Sequence, residues 1–447
     1  MESIRYIFIA ICLLITQISI IDIKKGLFLL VACEIFIPSS ARFSIGSFSV
    51  PVDFILIILL FCIFMLKREY RYKEFDLPPK YKYYILLYIV ISMFFSLFSG
   101  FPLLTQWKNI IRFVFQNLIL GYMLSFAIKN RRDIEQFFKI VFWSATIVSI
   151  YGIYTYIIKA NPYVQIISLA FGIGEAQGVA FSFISEQRGI IMGRVMGTMI
   201  HPLQWGQALT CIFAGLTIGW EMNLFKINKY VYNSGLMLII LNIFFSGSRA
   251  AFVALVVFSF YLFWNIRYKI RFITISVIFI LMVGFLFPQN KTITKFIDTI
   301  SSSLIFWDES YNSKVDISGS STNMRLDQLY GTFDKISSNP IFGLGRGYIV
   351  EEFKHGSRYN RYNMYGYESI LFYKVVEEGI IGFLFFLFMY YKMYSETLKS
   401  IKIKKIINKY KILIKGFYLS YFVAILLTGI QETLVFFYIF SVIIIVG

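Results

Sequence analysis

Apolar residues in this chain come in long blocks, not in the alternating or one-sided patterns of a soluble fold. Blocks of about 17–25 residues suit membrane crossings, and shorter ones are accepted where the flanks agree. They fall at 4–21, 26–39, 50–66, 82–99, 108–128, 137–158, 197–220, 231–247, 250–266, 272–288, 378–392, 412–430 and 433–447. This pattern predicts an all-α polytopic membrane protein. The 26–39 block is short and contains Glu34 and Pro38, so twelve or thirteen transmembrane helices fit the pattern equally. Three regions follow. Residues 1–287 hold the first ten candidate spans. Residues 288–377 form a large loop with an interfacial helix. Residues 378–447 hold the last spans, joined by a basic linker.

Composition agrees. The 447 residues are 58% hydrophobic and 15% charged, against roughly 25% charged in soluble domains. The 4–21 block lacks a small-residue cleavage site and reads as a retained first helix. The net charge of +18 would suggest nucleic acid in a soluble protein. In a polytopic protein it reads as the excess of Lys and Arg in cytoplasmic connections, and no nucleic-acid partner is expected. Lys67–Lys80, Lys129–Arg132, Lys226–Lys229, Arg267–Arg271 and Lys392–Lys415 alternate correctly for one side of the membrane. The four cysteines, Cys12, Cys33, Cys62 and Cys211, lie in apolar blocks without metal-ligand spacing and read as packing residues.

The opposite side receives the long loop 288–366, with nine Lys/Arg and eight Asp/Glu. A helix is expected over 323–336, then a turn at SSNP and a tight glycine-rich loop at GLGRG. The loop is too short and too punctuated for a large independent domain, and is expected to cover the outer mouth of the bundle. An enzyme acting on a lipid-linked substrate needs such a cover; a transporter usually does not.

Candidate chemistry lies on this side. In RVMGTMIHPLQWGQAL, Arg194 stands where a span begins, and His201 and Pro202 follow about two turns in. A guanidinium there either snorkels or forks onto phosphate oxygens. In FFSGSRAAFVAL, Arg249 opens a span on the face that the charge bias depletes of arginine. In NPIFGLGRGYIVEEF, no strand–helix unit surrounds Gly343, Gly345 and Gly347, so a nucleotide site is rejected. Arg325, Arg346 and His355 from the same loop remain candidates for an anionic or sugar ligand. In YGYESILFYKVVEEGIIGF, Lys374 and Glu378 are spaced to pair on one helix face, and Glu377 precedes Gly379 at a turn. Glu368 has no Lys or Arg within four residues and is the candidate general base.

The ordered marks RVMGTMIHP, SGSRAAFVAL, NPIFGLGRG and ESILFYKVVEEGIIGF resemble the bacterial O-antigen polymerase and O-antigen ligase superfamily. The resemblance covers most of the chain and is best from Arg194 to the end of the 378–392 block. It implies glycosyl transfer from undecaprenyl-pyrophosphate-linked sugars at the periplasmic face of the inner membrane. Related ligases usually carry His-Asn where this chain has Glu368 and Ser369, and the acidic residue looks more like the polymerases. In this reading Glu368 and Arg194 are catalytic, and Arg249, Arg325, Arg346, His201 and His355 bind substrate. The expected partners are undecaprenyl-pyrophosphate-linked oligosaccharide, the lipid bilayer and a chain-length regulator protein. No Asp-x-Asp or His/Cys cluster is present, so neither metal nor cofactor is expected. An O-antigen ligase and a flippase or other transporter remain the alternatives.

Overall fold

The computed structural model describes residues 2–38, 41–45, 48–67, 80–171, 194–264, 322–354, 367, 369–403, 408–428, 431 and 433–446. The expected span at 272–288 lies outside them. Helices dominate. The first part contains α1 (Glu2–Ile21), α2 (Ile23–Phe36), α3 (Val52–Leu66), α4 (Lys80–Ser96), α5 (Leu103–Val114), α6 (Leu120–Ala127), α7 (Arg131–Ile158) and α8 (Pro162–Phe171). The middle contains α9 (Pro202–Glu221), α10 (Lys229–Phe245), α11 (Arg249–Trp264), α12 (Thr322–Ile336) and α13 (Tyr348–Lys354). The chain closes with α14 (Ile370–Ile403), α15 (Asn408–Leu427) and α16 (Leu434–Val446). A hairpin of β1 (Arg42–Ile45) and β2 (Phe48–Pro51), with Phe43 opposite Val50, joins α2 to α3 and was not expected. It spans too few residues for a clear period-2 signal.

Four described helices are long and apolar enough for a full crossing, against the twelve or thirteen spans expected: Ser3–Ile21, Leu103–Ala127, Arg131–Ile158 and Tyr410–Leu427. Shorter apolar helices include Val52–Leu66, Lys229–Phe245, Arg249–Trp264 and Leu434–Val446. The Ser3–Ile21 helix is strongly apolar yet mostly exposed, with Leu13, Leu14 and Ile20 more than half accessible. Such a face is stable only against lipid or another apolar partner.

The buried centre is α9, whose side chains are inaccessible almost continuously from Pro202 to Gly219. It is packed by α7, α10, α11, α15 and α16. Gly206 permits the closest approach: a Cβ there would collide with Ser246 and crowd Ser248 and Ala251. The sequence places a span from residue 197, with His201 and Pro202 about two turns inside it. The structure corrects this. α9 starts at Pro202, and His201 is its cap, with Nδ1 accepting from the Leu203 amide at 3.1 Å. Proline at the first helical position has no amide to satisfy, so it starts the helix instead of bending it.

The basic connections converge on one end of the bundle. Lys67 Nζ donates to Ile21 O, Lys24 Nζ pairs with Asp133 at 2.6 Å, and Arg131 Nη2 donates to Asn223 O at 2.9 Å. The other end gathers the chain reversals that hold the candidate residues. Val195 N donates to Phe245 O, Thr198 Oγ1 to Ile35 O, Asn339 Nδ2 to Phe98 O and Ile370 N to Thr428 O. With the four native cysteines replaced, single cysteines introduced at Arg131 and at Ser338 should react with an impermeant thiol reagent from opposite sides of the membrane. Labelling of both from one side would contradict the arrangement.

Candidate functional site

Two assemblies occupy the end away from the basic connections. The first is a corner. α10 ends at Phe245 and α11 begins at Arg249, with Ser246–Ser248 between them. Ser246 Oγ accepts from Ser248 N, and Ser248 Oγ accepts from Ala251 N at the start of α11. Arg194 folds onto this corner: its Nε donates to Ser246 O at 2.8 Å and its Nη2 to Gly247 O at 3.3 Å. Gly247 has φ +58°, and a Cβ there would crowd the Arg194 side chain. Arg249 is buried at the head of α11. Arg194 thus docks on the turn that leads directly into Arg249. Two positive charges at one corner favour an anion.

The second assembly joins the glycine-rich loop to α14. The α14 backbone leaves helical geometry at Gly379, with φ +67° and ψ −175°. In an unbroken helix, Val376 O and Glu377 O would accept from the amides four residues on. Here those four groups bond to the loop. Leu344 N donates to Val376 O and Gly345 N to Glu377 O, while Ile380 N donates to Pro340 O and Ile381 N to Ile341 O. Each of these four groups has a partner, as burial demands. The contact admits no side chain at its centre. A Cβ on Gly343 would collide with Gly379 N, and one on Gly379 with Ile341 O.

Charges close the same junction. Glu378 Oε1 lies 2.8 Å from Arg346 Nη1 and 2.6 Å from Lys374 Nζ. The Tyr88 hydroxyl of α4 accepts from Arg346 and from Lys374, each at 2.6 Å, and donates to Glu378 at 3.1 Å. The Glu377 carboxylate accepts from Gly347 N at 3.0 Å. The Phe113 ring of α5 lies 4.3 Å from the Arg346 guanidinium carbon and 4.6 Å from Lys374 Nζ. From the same helix Gln106 Oε1 accepts from Arg346 N, and Asn109 Nδ2 donates to Arg346 O. Two cations and two carboxylates balance. Burial works against the charge of Arg346, but Tyr88, Glu378 and Glu377 outweigh it and hold its pKa above the ordinary arginine value. Glu378 Oε2 has no hydrogen-bond partner among the described residues and lines a cavity of about 10 Å³ with Ser92, Ser96 and Gln106. That is room for about one water.

The candidate residues therefore separate. Arg194 and Arg249 come together at the corner, and His201 caps the helix that packs beneath it. Arg346, expected to face a ligand from a turn, is 5% exposed and turned inward to Tyr88 and Glu378. The backbone of Arg325 lies in α12, but its side chain lies outside the described residues, as do Glu368 and His355. Both neighbours of Glu368 are buried: Tyr367 packs with the loop cluster, and Ser369 Oγ accepts from Leu371 N. The expected Lys374–Glu378 pair is present. Tyr88, Phe113, Gln106 and Asn109 are the additions that sequence spacing does not reveal.

Residues 234–387 match the family model described as O-antigen ligase. The match runs from α10 through the Ser246–Arg249 corner, the loop and the break in α14. No curated protein matches the chain.

Glu378→Gln should cost roughly 3–5 kcal/mol, because it leaves Arg346 and Lys374 buried beside each other without their carboxylate. Thermal unfolding of the purified protein checks this; an unchanged midpoint would mean that the network carries no stability.

Proposed function

We propose that this chain, whose residues 234–387 match the O-antigen ligase family model, is a surface-polysaccharide polymerase. In this reading it joins undecaprenyl-pyrophosphate-linked repeat units at the periplasmic face of the inner membrane. The observation that carries it is the Arg194–Arg249 corner, set at the end away from the basic connections and, at Arg249, inside the matched region.

The reaction is a single displacement. The donor is the growing glycan on its lipid pyrophosphate, and the acceptor is the terminal hydroxyl of a fresh lipid-linked repeat. The hydroxyl oxygen attacks the donor anomeric carbon as the bond from that carbon to the pyrophosphate oxygen breaks. Configuration inverts, lipid pyrophosphate leaves, and the hydroxyl proton passes to the Glu368 carboxylate. The leaving group is already activated, so the protein has to position both sugars and stabilise charge on the pyrophosphate. Arg194 and Arg249 serve that charge. Two of the five donors of the Arg194 fork bond the corner carbonyls, which fixes the plane of the guanidinium. Arg346 acts as a positioning residue. It holds the loop against α14, and thereby the approach on which Glu368 stands. Arg325, His201 and His355 remain candidates for contact with the sugars.

The preference for polymerase over ligase rests on Glu368, an acid where related ligases usually carry histidine. The description of the matched family favours the ligase as the second reading. The transporter reading loses ground, because the charges at Arg346, Lys374, Glu377 and Glu378 are satisfied within one junction and do not string along a path.

A strain lacking the protein should show lipid A core capped with a single repeat unit. Naked core with accumulated lipid-linked polymer would establish the ligase instead. Glu368→Gln should abolish the glycan ladder while the protein still inserts, and a near-normal ladder would remove Glu368 as the base. Arg194→Lys keeps the charge and loses the bidentate fork, so elongation should fall roughly 10-fold or more. Wild-type elongation would exclude phosphate recognition at that position.

A further inference from the structure

The basic end of the bundle holds an open cleft of about 380 Å³ that glycosyl transfer at the other end does not use. It lies where four elements end: the turn between α6 and α7, the turn after α9, the start of α15 and the end of α16. One wall is polar and positive. Lys129 and Arg131 are exposed there, and Asn130 caps α7 by accepting from Asp133 N at 3.0 Å. Arg131 is held at the rim by its bond to Asn223 O. The other wall is apolar, built from Met222, Leu224 and Val446, with Tyr410 beside it.

The charged residues that line the cleft, Lys129 and Arg131, are both cations. Asp133, beside the lining residue Ile134, is buried and paired with Lys24, and it also accepts from Lys129 N, while Glu221, beside Met222, is not part of the lining. Glu135 pairs with Lys139 at 2.8 Å. A positive wall facing an apolar one, where helices of a membrane bundle end, matches an amphiphile with an anionic head and hydrocarbon tails. A soluble anion would satisfy only the first wall.

We propose that this cleft binds the phosphate headgroup of an anionic phospholipid, with Lys129 and Arg131 on the phosphate and the Met222–Leu224–Val446 wall against the acyl chains. The headgroup would bridge four helix ends, so binding should stabilise the folded chain.

The test is thermal unfolding of the full chain in phosphatidylcholine vesicles with increasing phosphatidylglycerol, repeated for the K129Q/R131Q double variant and for a conservative K129R/R131K variant. The wild type should show a saturable rise in midpoint with phosphatidylglycerol that weakens with salt. The glutamine variant should require roughly tenfold more lipid or more, since each cation contributes a few-fold, and the conservative variant should keep most of the response. The midpoint in pure phosphatidylcholine separates a folding defect from a binding defect. An equal rise in wild type and glutamine variant, or an equal rise with phosphatidylcholine alone, overturns the proposal. So does a full response to soluble glycerol phosphate, which would make this a free-phosphate site.

Discussion

A helix that breaks inside a membrane protein releases backbone groups that water cannot reach. Each one has to find a partner within the protein, at a cost of several kcal/mol if it does not. α14 breaks at Gly379, and the partners come from one loop, residues 340–345. That exchange decides much else at this end of the molecule. It fixes the loop against the bundle and requires glycine at both Gly343 and Gly379. It also brings Arg346 of the loop beside Glu378 of the helix. The buried charges then follow as a consequence. Arg346 and Lys374 are tolerable there only because Glu377 and Glu378 face them and Tyr88 and Phe113 cover them.

The corner at Ser246–Arg249 is organised by a different constraint. Two helices reverse with three residues between them, close over Gly206 of the central helix, and leave carbonyls pointing at the turn. Arg194 satisfies two of those carbonyls. Its charge is therefore placed by the backbone of a segment some fifty residues away, next to the arginine that opens α11. In the proposed reaction, a pyrophosphate arriving from the lipid would meet an Arg194 guanidinium already held by the corner carbonyls. Such preorganisation makes electrostatic stabilisation effective in a low-dielectric site.

Much of this was legible in the sequence, and what was not has physical reasons. The helix at 323–336, the SSNP turn and the GLGRG loop appear where punctuation placed them, since turn chemistry is local. The Lys374–Glu378 pair was legible because four-residue spacing is itself a contact on a helix. Arg346 was singled out, but its partner Tyr88 lies 258 residues away, and no spacing rule reaches that far. The break at Gly379 was hidden inside an apolar block, because hydropathy reports burial and says nothing about backbone geometry. Pro202 lies inside an apolar block in the sequence, and only the structure shows that His201 caps the helix and Pro202 starts it. Glu368 rests on sequence and family likeness alone, outside the described residues.

Across the break in α14, the loop replaces the helix's own hydrogen bonds. Hydrogen exchange at the amides of Leu344, Gly345, Ile380 and Ile381 in the lipid-embedded protein tests it most directly. Protection should be comparable to that of the interior of α9, lost only when the bundle opens. Exchange at the rate of an open surface loop, at Leu344 and Gly345 in particular, would contradict it.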